Sequence, residues 1–156
     1  GLSGDIGAAG LGLRVALGDS FGASDALLLQ RYRRPRPRLA LGLALRGVAS
    51  AMLDVSDGLL LDAARLGEAS GVAVVIDSGA IPLSDEVRAT GVAVAELASL
   101  GDDYELLFTA PVAARDAVAR ASVSARLAVA RIGTVAAGAG VRLDGSTPPR
   151  LGFQHR

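Results

Sequence analysis

The chain has 156 residues, 51% of them hydrophobic and only 3% aromatic, and its formal net charge is zero. That length and composition fit one folded domain with a core of Ala, Val and Leu, and the charge balance argues against a general nucleic-acid or membrane-surface binder. There is no cysteine and all 16 basic residues are arginine, which excludes disulfides, thiolate metal sites, a Walker-type GK[ST] loop and a Schiff-base lysine within this chain.

The first 20 residues are rich in Gly and Ala. Asp5 to Leu17 reads as a helix weakened by Gly7, Gly10 and Gly12, with no strand predicted before it. Its glycine spacing does not match GxGxxG. The abrupt start, without Met, suggests a fragment. Ser24 is placed to cap a short helix carrying Ala26 to Leu29. In RYRRPRPR, residues 31–38, Pro35 and Pro37 break any helix and favour an extended path. The arginines there suit a solvated loop, with a phosphate contact as the alternative. Leu39 to Arg46 resumes a helical pattern. Ala49 to Val55 reads as a strand, the turn SDG follows, and Leu59 to Ala69 reads as a helix ended by Gly71. Val72 to Asp77 is a second, very apolar strand.

Pro82 then breaks the chain, and Ser84 can cap a helix beginning near Asp85. Val92 to Leu100 is Ala-rich and helical in pattern. Tyr104 to Thr109 reads as a strand, and Pro111 opens another helix at its first turn. Ala128 to Val135 and Val141 to Leu143 fit a final hairpin. Alternating helices and strands imply a layered sheet-and-helix domain. No run is long and uninterrupted enough for a transmembrane helix, and no secretory signal pattern is present, so a cytoplasmic location is expected. With His155 as the single histidine, a His-rich metal site is excluded.

Three stretches carry candidate chemistry. In LDVSDGLLLD, residues 53–62, Asp54 ends a strand and Ser56 and Asp57 stand at the start of the next helix. In such folds ligands gather at this junction, where helix N–H groups point outward. Two carboxylates and a hydroxyl within four residues suit a hard cation such as magnesium, which uses few protein carboxylates and keeps sites for water and phosphate oxygens. The competing reading makes Ser56 or Asp57 an ordinary N-cap and Asp54 a turn former. Asp62, one turn into the helix, reads as a solvated or supporting residue. In GDDYELLF, residues 101–108, alternation sends Asp103 and Glu105 to one face and Asp102 and Tyr104 to the other. The cluster suits a cationic or amine-bearing substrate, or else is a polar turn before a strand. In GFQH, residues 152–155, Phe153 is placed either to stack on a planar ring or to plug the core.

Taken together and in order, GDIGAAGL, RPRPRL, AMLDVSDGLLLD, SGVAVVIDSGAIPLS, GDDYELLFTAP, RIGTV and GFQH resemble the C-terminal half of the thiamine-monophosphate kinase family, within the aminoimidazole ribonucleotide synthetase superfamily. The matching pieces cover nearly the whole chain, and LDVSDGL with GDDYEL is the specific pair. The resemblance implies an α+β, three-layer α/β/α domain with a mixed sheet. It makes residues 1–156 a single C-terminal-type domain, without the family's N-terminal ATP- and Mg2+-binding domain. It implies transfer of the ATP γ-phosphoryl to thiamine monophosphate, giving thiamine diphosphate with Mg2+, in a full enzyme expected to be a homodimer. Alone, this chain is expected to be weak or inactive.

By motif position the resemblance makes Asp54 and Asp57 magnesium ligands, Ser56 a nucleotide contact, Asp102 a substrate contact and Phe153 a packing partner for the thiamine rings. The family often has Tyr at the position of Phe153 and Glu at that of Asp102, where the shorter Asp has further to reach. Phosphoryl transfer asks a protein mainly for positioning and charge neutralisation, which agrees with clustered carboxylates and no Ser-His or Cys-His pair. The rival expectation is a non-catalytic binding module that keeps the fold.

Overall fold

The computed structural model describes residues 1–153. A two-residue strand, β1 (Leu2–Ser3), comes first, followed by helix α1 (Ala8–Ala16), helix α2 (Asp25–Arg33) and helix α3 (Leu39–Ala44). Strand β2 (Ala51–Asp54), helix α4 (Leu59–Ser70) and strand β3 (Ala73–Ile76) form the middle of the chain. Two short helices, α5 (Asp85–Ala89) and α6 (Val94–Leu97), lead to strand β4 (Leu106–Thr109) and helix α7 (Arg115–Ala125). Strands β5 (Val129–Ala130), β6 (Gly133–Ala136) and β7 (Val141–Leu143) complete the fold.

The strands form two sheets, so the domain is α+β. One has the order β2-β4-β1-β5 and is antiparallel throughout. The other, β6-β3-β7, is mixed, with β3 antiparallel to β6 and parallel to β7. The two-residue period of β4 splits its side chains between two cores. Leu107 joins the main cluster with Leu2, Leu59, Leu60 and Ile76. Phe108 joins a second cluster with Leu41, Leu45 and Ala121 from the α3 and α7 regions. Helices therefore cover both faces of the four-stranded sheet, α4 on one and α3 with α7 on the other. In α4, residues 59–63 are all buried, and Leu66 and Gly67 follow, so the helix starts deep in the core and only its later turns bury a single face.

Several elements differ from the sequence expectation. A strand does precede α1, but two residues are too few to show any alternation. The last strands make no hairpin, because β6 and β7 lie on opposite sides of β3 and β5 belongs to the other sheet. A long-range partner with a stronger apolar run displaced the local one. α2 continues through Arg33, into the Arg-rich stretch expected to be a loop. Its N-terminal residue Ser24 makes no side-chain cap; the Ser24 hydroxyl instead donates to the Glu86 carbonyl at 3.2 Å. Ser84 does cap α5, accepting from the Val87 N–H. Pro111 precedes a 3-10 turn, Val112–Ala114, before α7 begins.

The Arg-rich stretch also holds an anchor that was expected to be a solvated side chain. Glu105 is 1% exposed. Its carboxylate accepts from Arg38 Nε at 2.8 Å and Nη2 at 2.5 Å, and from the Ser3 hydroxyl. Ser3 Oγ in turn accepts the Leu106 N–H at 2.9 Å. A buried carboxylate is tolerated only when its oxygens are satisfied, and this two-pronged guanidinium satisfies both while fixing the start of α3 against β1 and β4.

Removing the partner leaves an uncompensated buried charge. Arg38→Ala is expected to cost about 3–5 kcal/mol, read from the urea midpoint. The double variant Arg38→Met/Glu105→Leu is expected to lose much less than the single one.

Candidate functional site

The three chemistry-bearing stretches meet at the carboxyl end of β2. Backbone hydrogen bonds lace them together. Val55 N–H donates to the Glu105 carbonyl at 2.8 Å, Tyr104 N–H to Val55 at 2.8 Å, and Asp102 N–H to Ser56 at 2.9 Å. Phe153 N–H donates to the Asp57 carbonyl at 2.9 Å. Close approach dictates the glycines. A Cβ on Gly101 would stand 2.4 Å from the Ser56 carbonyl oxygen. Gly58 holds φ +120° and its Cβ would stand 2.9 Å from the Ser99 carbonyl oxygen, so only glycine fits there.

Neither Ser56 nor Asp57 caps α4. The N-cap is Gly58, which offers no side chain. Asp62 instead reaches back from inside the helix to the turn before it, while the Leu60 N–H of the first turn donates to the Ala98 carbonyl at 3.0 Å. Asp62 Oδ2 accepts the N–H groups of Ser56 and Asp57 at 2.9 and 3.0 Å, and the residue is 2% exposed. Asp62 is thus a supporting residue but not a solvated one. It holds the Ser56–Asp57 turn through the turn's main chain. Asp57 Oδ2 accepts from Arg65 Nη1 at 2.6 Å, and the same nitrogen reaches Asp62 Oδ1 at 2.8 Å.

Asp54 is exposed at the end of β2. Among the described residues its carboxylate carries no hydrogen bond or ion pair. Tyr104 stands between the acids: its hydroxyl donates to Asp102 Oδ1 at 3.4 Å. Partial burial pushes its phenol pKa upward, helped by the negative charges of Asp102, Asp54 and Asp57. Carboxylates from two motifs therefore act electrostatically on one phenol, and Asp102 also touches it. Asp102 and Tyr104 share a side, as alternation predicted, but not by alternation. Both have left-handed φ, +68° and +51°, and the strand starts later, at Leu106. Non-glycine residues held in that region store strain of the kind found at binding sites.

Beside the acids lies a cavity of about 540 Å³ lined mainly by Pro35, Pro37, Leu39, Leu43, Tyr104 and Leu106, with Asp54 at its edge. Phe153 is 56% exposed, so it does not plug the core. Gln154 and His155 of GFQH lie outside the described residues. Among the described residues, no group of three or more His, Asp or Glu side chains is gathered to hold a metal. Two acids and a hydroxyl do remain, with Asp54 unengaged and a cationic guanidinium already seated on Asp57. That donor set fits a hard cation that takes few protein oxygens.

Asp103 turns the other way. It accepts the N–H groups of Gly7 at 2.8 Å and Ala9 at 3.3 Å, where α1 begins. No local pattern signals this tie, because its partners are backbone groups distant in the chain. Burial pushes the Asp103 carboxyl up to about 7, against the lowering effect of those two donors.

Residues 2–146 match the family model described as AIR synthase related protein, C-terminal domain, and the chain belongs to that family. The chain is similar to thiamine-monophosphate kinases. The Caulobacter vibrioides thiamine-monophosphate kinase is 38% identical over 99% of this chain and 47% of its own length. The crystal structure of the Stenotrophomonas maltophilia K279a thiamine-monophosphate kinase is 38% identical, with a TM-score of 0.81 over 93% of this chain and 49% of its own. AaThiL complexed with AMPPCP and TMP is 34% identical, with a TM-score of 0.81 over 99% of this chain and 50% of its own. The chain spans about half the length of these relatives.

The raised Asp103 pKa sets a pH dependence. The folded state holds this proton more tightly than the unfolded chain, whose ordinary value is 3.8. Stability from this group is therefore present below that value and is lost as pH climbs to about 7. Denaturant midpoints at pH 5 and pH 8 are expected to fall for the parent chain and to differ less in Asp103→Asn.

Proposed function

We propose that this chain is the C-terminal-type domain of an ATP- and Mg2+-dependent thiamine-monophosphate kinase, completed by a companion N-terminal domain and working as a homodimer in the cytoplasm. Among the described residues no helix is long and apolar enough to cross a membrane, and neither a membrane nor a nucleic acid is assigned as partner. The observation that carries the reading is the backbone lacing that brings the Asp54–Asp57 and Asp102–Tyr104 segments together at the end of β2, in a chain that is matched over 99% of its length by the Caulobacter vibrioides thiamine-monophosphate kinase.

In the proposed reaction a phosphate oxygen of thiamine monophosphate attacks the γ-phosphorus of ATP. The bond from that phosphorus to the bridging oxygen breaks, and ADP leaves with the electron pair. Asp54 and Asp57 would hold Mg2+, which supplies charge neutralisation for the polyphosphate. The Ser56 hydroxyl would contact a nucleotide phosphate. Asp102 would orient the cationic thiamine, and the exposed Phe153 ring would stack on its planar rings. No protein nucleophile is needed, since the acceptor phosphate is itself the nucleophile. What the chain contributes is position: the backbone lacing fixes the metal, nucleotide and substrate groups relative to one another.

The test joins this chain to the N-terminal portion of the Caulobacter vibrioides kinase. The chimera is expected to form thiamine diphosphate and ADP from ATP and thiamine monophosphate. Asp57→Asn is expected to lower turnover by roughly a hundredfold or more with an unchanged circular dichroism spectrum. Near-normal turnover in that variant would remove the metal role. Phe153→Ala is expected to raise KM for thiamine monophosphate more than for ATP; equal effects would assign the ring to packing. A folded chimera that binds neither substrate would favour the non-catalytic module.

A further inference from the structure

Arg65 does something that the proposed reaction does not require. One of its nitrogens, Nη1, bridges Asp57 and Asp62. We propose that Arg65 is a resident counter-cation that occupies Asp57 when no metal is bound and must release it when a divalent ion arrives, so that it sets the metal affinity of the site. The inference rests on the reading of Asp57 as a metal ligand.

The geometry makes this exchange inexpensive. The Arg65 side chain is 47% exposed, against 16% for Asp57 and 3% for Asp62. The guanidinium therefore lies on the solvent side, where it swings off Asp57 while Nη1 stays on the buried Asp62. Asp62, the buried member, keeps the Ser56 and Asp57 N–H groups on its other oxygen whether or not Arg65 moves. It also keeps Arg65 Nη1 as a tether, one helical turn away. Asp57 alone changes partner, and its carboxylate faces a cation in both states. Without metal, the bridge also offsets the repulsion between the Asp57 and Asp62 carboxylates, keeping the loop in place for the ion.

An arginine rather than a lysine suits the role. It stays charged at every accessible pH, so the competitor itself is never switched off by loss of a proton. The competing bond is partly exposed and correspondingly weak, of the order that a divalent ion displaces readily.

The test is titration of the chain with Mg2+, and with Mn2+ followed by its electron paramagnetic resonance signal. Arg65→Gln is expected to bind either ion roughly three- to tenfold more tightly than the parent. Adding Asp57→Asn to that variant is expected to abolish the gain. In the unsubstituted chain, the Arg65 guanidinium 15N resonances are expected to shift on Mg2+ saturation, a readout that needs no variant to fold. Equal or weaker binding in Arg65→Gln overturns the proposal while leaving the metal reading standing. A gain that survives Asp57→Asn, or Arg65 resonances that stay fixed at saturation, overturns it as well. Absence of ion binding in both the parent and Arg65→Gln overturns the metal reading and the proposal together.

Discussion

The site depends on a buried carboxylate. Glu105 has almost no contact with water, and a lone anion there would unfold the surrounding elements or take up a proton. Arg38 and Ser3 close both its oxygens. Three segments far apart in sequence are thereby pinned at one point. The segment that follows Arg38 becomes α3, the one holding Ser3 becomes the central strand β1, and Glu105 sits at the root of β4. The main-chain groups of Glu105 and Tyr104 then pair with Val55 on both sides. That is how a structural ion pair comes to hold the acidic motifs in register.

The acids divide into those that build the site and those that face out of it. Asp62 and Asp103 hold backbone N–H groups, one behind the Ser56–Asp57 turn and one at the start of α1. Glu105 holds Arg38. Asp54, Asp57 and Asp102 are left, and their charges all act on Tyr104. A sequence rich in acids over residues 54–62 and 102–105 thus contains two functions interleaved, and neighbouring positions fall to different ones. Asp102 and Asp103 are adjacent in sequence, yet one points to the proposed ligand side and the other to a helix end.

The arginines divide in the same way. Arg38 is a buried anchor, while Arg65 lies over the site from its solvent side. An all-arginine basic complement suits both tasks, because a planar, permanently charged group meets two acceptors at once. Local rules misjudged Arg38, which looked like one more charge in a proline-broken loop. The feature that distinguishes it is the distant Glu105, and nothing within the stretch RYRRPRPR points there.

What the sequence determined by itself was local or motif-borne. The apolar stripe of α4, the cap of Ser84, the strand before the SDG turn and the acidic clusters are written in spacings of a few residues, where propensity and side-chain period act directly. Family membership was also legible, because LDVSDGL and GDDYEL carry it in consecutive residues. Only the tertiary structure decided which strands pair, which acid holds which turn and which charges act on Tyr104. β1 has no local signature, and β6 and β7 chose β3 over each other. Those choices follow from burial and hydrogen-bond satisfaction between residues as much as 128 positions apart, and such terms have no value until the chain has closed on itself.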